Sequence, residues 1–570
     1  MKVFLAQQNY HIGNFALNCE KMLQAIEEAK SKGADLVVFS ELSVCGYPPR
    51  DFLEFEDFIL ESEAAVQKIA EASHGIGVLL GAPTRNPQLE GKDLLNSAIL
   101  LHDGKIQGIA SKTLLPNYDV FDEYRYFEPA YTWNILHFKG KKIAVTICED
   151  IWNLGDNPLY RVCPMDKLMQ QSPDIMINLS AYPFDYDHDE DRKEVVRLNV
   201  VKYKLPMIYV NAVGAQTEIV FDGNSLVFTD QGSLHAQLSA FEEDAVMVDT
   251  DELYGKASTE ASTQSTLLGK SMRFAHAEEP SAIIEYLTRE HNIQQIHQAL
   301  IVGLKDYFSK MGFKKAILGS SGGIDSAVVL ALACEALGSE NVTAILMPSG
   351  FSSTHSVEDA VALSKNLNNS HHIVSIHNVY ETFLSTLDPL FKDTPFGIAE
   401  ENIQSRSRGN ILMAIANKFG YVLLNTSNKS ELSTGYGTLY GDMAGGLSVL
   451  GDLYKTQVYA LARYINRHDE VIPENIITKA PSAELRPNQK DSDSLPDYDL
   501  LDKVLYQYIE RRMGPKEIIA AGFDEALVKR VLRMVNINEY KRNQFCPIIR
   551  VSTKAFGVGR RLPIVAKYLS

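Results

Sequence analysis

Strand-like and helix-like patterns alternate along the first half of the chain. "KVFLAQQ" opens with an apolar run and leads to a helical stretch at 15–31. "ADLVVFSE" (34–41), a helical stretch at 57–73, "IGVLLGAP" (76–83) and "NSAILLHDGKIQGIASK" (96–112) follow. Further strands are predicted at "KKIAVTICED" (141–150), "PDIMINLSA" (173–181), "LPMIYVNAVG" (205–214) and "NSLVFTDQGSL" (224–234). His102-Asp103-Gly104-Lys105 and Thr229-Asp230-Gln231-Gly232 read as hairpin turns, because Asp and Gly tolerate the backbone angles such turns need. Mixed strands with interleaved helices predict an α/β sandwich whose sheets are covered by helices.

The pattern breaks at 240–280. "FEEDAVMVDTDELYGKASTEASTQSTLLGK" is rich in Ser, Thr and acidic residues and has no sustained apolar period. It reads as a connection between domains. From 284 a long helical pattern leads into "KAILGSSGGIDSAVVLALACEAL" (315–337), then "VTAILMPS" (342–349), "HHIVSIH" (371–377) and "YVLLNTSN" (421–428). Short apolar strands separated by helices predict a parallel sheet with helices on both faces. The expected division is residues 1–245, a linker at 246–283, and 284–570.

Composition narrows the function classes. At 570 residues the chain exceeds what one core supports, so two domains or three are expected. A formal charge of −17 argues against nucleic acid and against anionic membranes as partners, while leaving room for a local anion site. The apolar run at the N-terminus is too short for a secretory leader, and no stretch approaches a membrane span. Six cysteines without a CxxC pair argue against a disulfide framework or a structural zinc site. The expected compartment is the cytoplasm.

Three polar residues stand just after predicted strands: Glu41, Lys112 and Cys148. Ligands gather at the carboxyl ends of strands in α/β folds, so the three can converge. A free thiol has a pKa of about 8.5. A neighbouring carboxylate can take its proton, and a lysine can stabilise the thiolate and a developing oxyanion. Taken singly, each residue has a plainer reading: an inert buried thiol, a helix-start carboxylate, a surface charge. Their surroundings decide. "SELSVCGYPPRDF", "SKTLLPNYDVFDEYRYF" and "ICEDIW" resemble, in order, the amidase domain of the nitrilase superfamily, an αββα sandwich. That resemblance implies Glu41 as general base, Lys112 as the lysine, Cys148 as nucleophile and Glu123 as a second, assisting glutamate. It also implies Tyr118 in a glutamine site. Tyr182 in "LSAYPF" stands where relatives of this type commonly carry serine, and "DYDHDEDR" is acidic where they carry a basic residue. The contacts to the glutamine α-groups are thereby left open.

The stretch at 315–337 looks at first like a phosphate loop, with a strand, glycines and a helix start that together point N–H groups at one spot. Its turn lacks the usual lysine and offers Asp325 and Ser326 instead. The string "SGGIDS" resembles the loop of the N-type ATP pyrophosphatases, which cleave ATP between the α- and β-phosphates and attach AMP to a carbonyl or carboxylate. Gly319, Ser320, Ser321, Gly322, Gly323, Ile324, Asp325 and Ser326 are then the ATP loop. Asp325 becomes a hard oxygen ligand for Mg²⁺, and the missing lysine must come from elsewhere in the chain.

"EENIQSRSRGNILMAIANKFGYVLLNTSNKSELSTGYGTLYGDMAGG", "IPENIITKAPSAELRP" and "STKAFGVGRRLPI" are similar to the NAD synthetase signature. In their two-part order, the domains resemble the glutamine-dependent members of that family. The resemblance implies that Glu431 joins Asp325 on Mg²⁺ and lies near the dinucleotide. It places Thr426, Lys455 and Ser482 on ATP, and Asn402, Asp442 and Lys554 on deamido-NAD. The implied partners are glutamine, ATP and deamido-NAD. Ammonia would pass between the sites along a sheltered route, in a homo-oligomer. Another adenylating amidotransferase, or a non-catalytic dinucleotide sensor, stays open as an alternative.

Overall fold

The computed structural model describes residues 1–154, 160–187, 189–255, 279–487 and 489–568. The chain divides into two compact units, Met1–His276 and Ala277–Ser570.

The strands of the first unit are β1 (Lys2–Gln7), β2 (Leu36–Val38), β3 (Gly77–Arg85), β4 (Leu94–His102), β5 (Lys105–Ser111), β6 (Leu136–Phe138) and β7 (Lys141–Ile147). They continue with β8 (Ile175–Ser180), β9 (Met207–Asn211), β10 (Val213–Gln216), β11 (Ile219–Asp222), β12 (Leu226–Phe228), β13 (Leu234–Gln237) and β14 (Asp244–Asp249). One six-stranded sheet runs β14-β1-β2-β3-β4-β5 and the other β13-β12-β9-β8-β7-β6. Side chains alternate between the two faces of a strand. Val3 and Leu5 of β1 and Leu36 and Val38 of β2 therefore meet Val145, Ile147, Ile177 and Ile208 between the sheets. Phe4 and Val37 point the other way, onto Met22 and Ile26 of α1 (Phe15–Ser31) and Ile69 of α2 (Glu56–Glu71). On the far side, Ala144, Met176 and Tyr209 pack with Met165 of α3 (Pro164–Leu168) and with Val195, Val196 and Val200 of α4 (Asp189–Tyr203). The result is a helix–sheet–sheet–helix sandwich with apolar interfaces. Each fully buried Leu or Ile contributes about 1.5–3 kcal/mol against exposure.

Residues 246–249, read above as the start of the linker, are part of strand β14. They pair antiparallel with Lys2–Leu5 of β1, in register Val246 to Leu5 and Asp249 to Lys2. The flanking acidic residues hide an edge strand whose pairing partner is more than 230 positions away. The part of the expected linker at 256–278 lies outside the described residues.

The second unit has five parallel strands: β15 (Ala316–Gly319), β16 (Val342–Leu346), β17 (Ser370–Ile373), β18 (Val422–Asn425) and β19 (Leu447–Ser448). Their order is β17-β16-β15-β18-β19. The strand order reverses between β15 and β18, the place where doubly wound sheets bind ligands at their carboxyl ends. Helices α5 (Ile283–Leu287), α6 (Glu290–Met311) and α7 (Ile324–Leu337) come first. They are followed by α8 (Thr354–Leu367), α9 (His377–Phe391), α10 (Ile398–Phe419), α11 (Lys429–Thr434) and α12 (Lys455–Ile465). Helix α7 is buried without interruption from Ser326 to Cys334, because it packs against the sheet, α6 and α12 together. That all-round contact explains its alanine-rich, non-amphipathic sequence. Leu412 and Ala416 of α10 cover the other face over Ile317, Ile345 and Leu423.

Candidate active sites

In the first unit, Glu41 follows β2, Lys112 follows β5, and Cys148 begins the 3-10 turn directly after β7. All three are buried. The Lys112 ammonium bridges two carboxylates, 2.7 Å from Glu41 Oε1 and 2.8 Å from Glu123 Oε1. Four further groups complete this cluster, and the sequence reading gives none of them a role. Asn96, in the middle of β4, donates from Nδ2 to Glu41 (2.7 Å) and Glu123 (3.4 Å). The Tyr47 hydroxyl donates to Glu123 Oε1 (2.9 Å), and the Ala181 N–H, just past β8, donates to Glu41 Oε2 (3.0 Å). Asp150 accepts the N–H groups of Ile147, Thr113 and Leu114 at 2.8–3.0 Å. It thereby ties the turn carrying Cys148 to the segment carrying Lys112. Tyr47, Asp150 and Ala181 stand in stretches that draw attention to their neighbours, whereas Asn96 stands among the apolar residues of "LLNSAILLH".

Backbone shape is built in as well. Cys148 has a left-handed φ of 43°, an arrangement that costs of order 1–3 kcal/mol and recurs at functional positions. Gly81 of β3 passes so close to the Glu41 segment that a Cβ there would stand 2.3 Å from the Leu42 nitrogen.

Electrostatics set the resting protonation. Burial, then the charge of Glu41, pushes the Cys148 thiol well above its ordinary value, with Lys112 opposing. Cys148 therefore rests as a thiol. Burial pushes Glu123 up to about 7 against the pull of Lys112, with Glu41 adding to the rise. Burial alone would lower the Lys112 pKa, but Glu123, Glu41 and Cys148 outweigh it and keep the ammonium charged. Next to the nucleophile, Glu149 accepts hydrogen bonds from Tyr118 (2.8 and 3.0 Å) and Tyr160 (3.0 Å). Tyr182 stacks on Trp152, with ring centroids 5.0 Å apart.

In the second unit a cavity of about 290 Å³ opens at the carboxyl ends of β15 and β18. Its wall includes Gly319, Ser320, Ser321, Gly323, Ile324, Asp325, Ser326, Thr426, Glu431, Asp442, Lys455 and Ser482. Gly322 has φ +77°, and a Cβ there would lie 2.2 Å from the Ser356 carbonyl oxygen, so the loop admits only glycine at this point. The Lys455 ammonium donates to Asp325 Oδ2 (2.5 Å) and lies 3.4 Å from Glu431 Oε1. Asn428 joins them by donating to Asp325 Oδ1 (2.8 Å) while capping α11 through the Glu431 N–H (3.0 Å). Burial and the Asp325 charge push Glu431 up to about 8. Burial would lower the Lys455 pKa, but Asp325 and Glu431 outweigh it and raise it. Two hard carboxylates aimed at one cation, beside a phosphate-type loop, are a donor set that fits Mg²⁺.

Among the described residues, the cavity wall does not include Asn402 or Lys554. Asn402 reaches it indirectly, accepting from the Thr438 hydroxyl (2.7 Å) while the Thr438 N–H donates to Asp442 (2.6 Å). The backbone N–H of Lys554 donates to Ser552 (3.3 Å) on the C-terminal segment. Arg408 of α10, absent from the sequence expectations, lines the cavity and donates to the Met347 carbonyl (3.1 Å).

Two family models match the chain. "Carbon-nitrogen hydrolase" covers residues 2–258 and "NAD synthase" covers 296–545. Similar curated proteins include a glutamine-dependent NAD(+) synthetase of Synechocystis sp., 44% identical over 99% of both chains. Another, from Thermotoga maritima, is 41% identical over 100% of this chain and 99% of its own. The structure of an Acinetobacter baumannii glutamine-dependent NAD+ synthetase in complex with ADP is 37% identical. It superposes with a TM-score of 0.74 over 99% of this chain and 98% of that one.

Proposed function

This chain belongs to the glutamine-dependent NAD(+) synthetases, and from that premise we propose how its residues carry the reaction. The enzyme is a ligase that makes the carboxamide of NAD from deamido-NAD, with ATP and glutamine as co-substrates.

The first unit supplies ammonia. Cys148 rests as a thiol, so Glu41 takes its proton as the sulfur attacks the glutamine side-chain carbonyl. Lys112, pinned between Glu41 and Glu123, holds fixed positive charge where the thiolate and oxyanion develop. Proton return to the nitrogen releases ammonia and leaves a glutamyl thioester, which water hydrolyses to glutamate. The carboxylate of Glu149, which accepts from Tyr118 and Tyr160, suits the α-ammonium of glutamine, and Tyr182, stacked on Trp152, is a further candidate contact for glutamine.

In the second unit, the 319–326 loop holds ATP phosphates. Thr426, Lys455 and Ser482 line the same cavity; Thr426 and Lys455 would contact phosphate or ribose groups of ATP, Ser482 would line the ATP side, and Asp442, backed by Asn402, would hold deamido-NAD. Lys554 is retained as a dinucleotide contact on resemblance alone. Asp325 and Glu431 would hold Mg²⁺, which when bound neutralises phosphate charge. The nicotinate carboxylate attacks the α-phosphorus, pyrophosphate leaves, and ammonia displaces AMP from the acyl carbon. Positioning and charge neutralisation supply most of the acceleration. An acidic, cysteine-poor chain suits the cytoplasm, and the family resemblance favours a homo-oligomer as the working form.

The observation that carries this reading is the Lys112 ammonium held between two buried carboxylates beside a buried thiol. Incubation with ATP and deamido-NAD, with glutamine or ammonia as donor, should yield NAD, AMP and pyrophosphate in equal amounts. Pyrophosphate release with some other carboxylate and none with deamido-NAD would transfer the second unit to a different amidotransferase.

A further inference from the structure

Glu431 and Lys455 stand at the starts of two different helices. Glu431 is the third residue of α11 and Lys455 the first of α12. Their side chains meet at 3.4 Å, which requires the two helix starts to keep one register. A residue behind the site holds that register. Asp502, on the helix Tyr498–Ile509, is fully buried, and among the described residues it is not part of the cavity wall. Its Oδ1 accepts from the Ser430 hydroxyl (2.5 Å) and its Oδ2 from the Thr456 N–H (2.9 Å). Ser430 Oγ in turn accepts from the Lys455 N–H (2.9 Å).

The first N–H groups of a helix have no partner inside it and are ordinarily met by a small polar side chain just before it. Tyr454, which precedes α12, is not of that type. The helix is capped instead from two distant segments, by the Asp502 carboxylate and the Ser430 hydroxyl. A carboxylate suits the task, with two acceptor oxygens for two donors and a negative charge at the positive end of α12. Helix α11 has an anchor of its own. The ammonium of Lys429, its first residue, lies 2.7 Å from Glu510 and 2.9 Å from Asp452. The start of α12 therefore depends on Asp502 more than α11 does.

We infer that Asp502 is a positioning residue for ligation: through Thr456 and Ser430 it fixes where α12 begins, and so where the Lys455 ammonium stands against Asp325 and Glu431. The inference rests on the assignment of Lys455 to ATP and of the two carboxylates to Mg²⁺. Lysine and carboxylates then have to serve one phosphate group and its cation together. A displacement on the order of 1 Å at such a site costs about a hundredfold in rate.

Calorimetry on the full chain tests this without turnover, with ATP plus Mg²⁺ in one arm and deamido-NAD in the other. Asp502→Asn keeps the shape but turns an amide N–H₂ toward one of the two donors. ATP binding should weaken about tenfold, the scale of one charge-assisted hydrogen bond, and deamido-NAD binding should stay within about twofold. Ser430→Ala cuts the link to the Lys455 N–H and leaves that of Thr456. It should show the same selective loss at about threefold, and it carries the test if Asp502→Asn does not fold. Lys455→Met alone should weaken ATP binding, and adding Asp502→Asn to it should cost less than about twofold more, because a residue acting through another is not additive with it. A full tenfold loss in that background, unchanged ATP affinity in Asp502→Asn, or equal losses for both ligands would overturn the role of Asp502. Unchanged ATP affinity in Lys455→Met alone would instead remove the assignment of Lys455, and the inference with it.

Discussion

Glu123 shows how one buried carboxyl links chemistry to stability. Its pKa of about 7 in the fold exceeds the value of about 4.3 for a free glutamate. The folded state therefore binds more protons than the unfolded chain between these pH values, and the group's contribution is complete below about 4.3. That contribution falls as pH rises through 7. Glu123→Gln removes the ionisation but keeps a side chain of the same shape. Its unfolding free energy relative to the parent should move in the variant's favour from pH 5 to pH 8, by up to about 3 kcal/mol at 1.36 kcal/mol per pKa unit. Denaturation curves at several pH values check this through the slope, which is independent of the lost Tyr47 and Lys112 contacts. At the other site, Asp325→Asn leaves Lys455 with one carboxylate fewer and would remove the hard ligand proposed for Mg²⁺. Ligation should fall by at least about a hundredfold with either nitrogen donor, while glutamine hydrolysis persists, as a coupled glutamate assay would show.

The elements place these residues, and their glycines mark where placement is tightest. Gly81→Ala would push a methyl into the Glu41 segment. Glutamine-driven synthesis should drop at least about tenfold, and ammonia-driven synthesis should stay within about twofold. Gly322→Ala meets the Ser356 carbonyl at 2.2 Å in a left-handed backbone. Here ammonia-driven synthesis should be lost as well, because the loop cannot keep its shape. Initial rates with each donor separate the two cases. Element by element, much was legible in the chain. Glu41, Lys112 and Cys148 were candidates because apolar strands end abruptly in polar residues, and the 319–326 loop because glycine punctuates a strand–helix junction; the resemblance of their flanking motifs to known families singled them out. Local signals end there. Asn96 sits mid-strand and Asn428 acts across 103 positions on Asp325. Strand β14 pairs with the far N-terminus. Each depends on a tertiary partner that no window of sequence contains.

At the scale of the whole molecule, two units hold complementary halves of one reaction, and free ammonia is scarce at neutral pH because its conjugate acid titrates well above 7. A sheltered transfer predicts that amide-¹⁵N glutamine labels NAD even when equimolar unlabelled ammonium is present. Mass spectrometry of the product reads this directly, and dilution of the label to the bulk ratio would mean release into solvent. The division of labour itself is tested most directly by Cys148→Ala. The variant should form NAD from deamido-NAD, ATP and ammonia at a rate within about twofold of the parent, and form none with glutamine. Equal loss with both donors, or surviving glutamine-driven synthesis, would contradict the account.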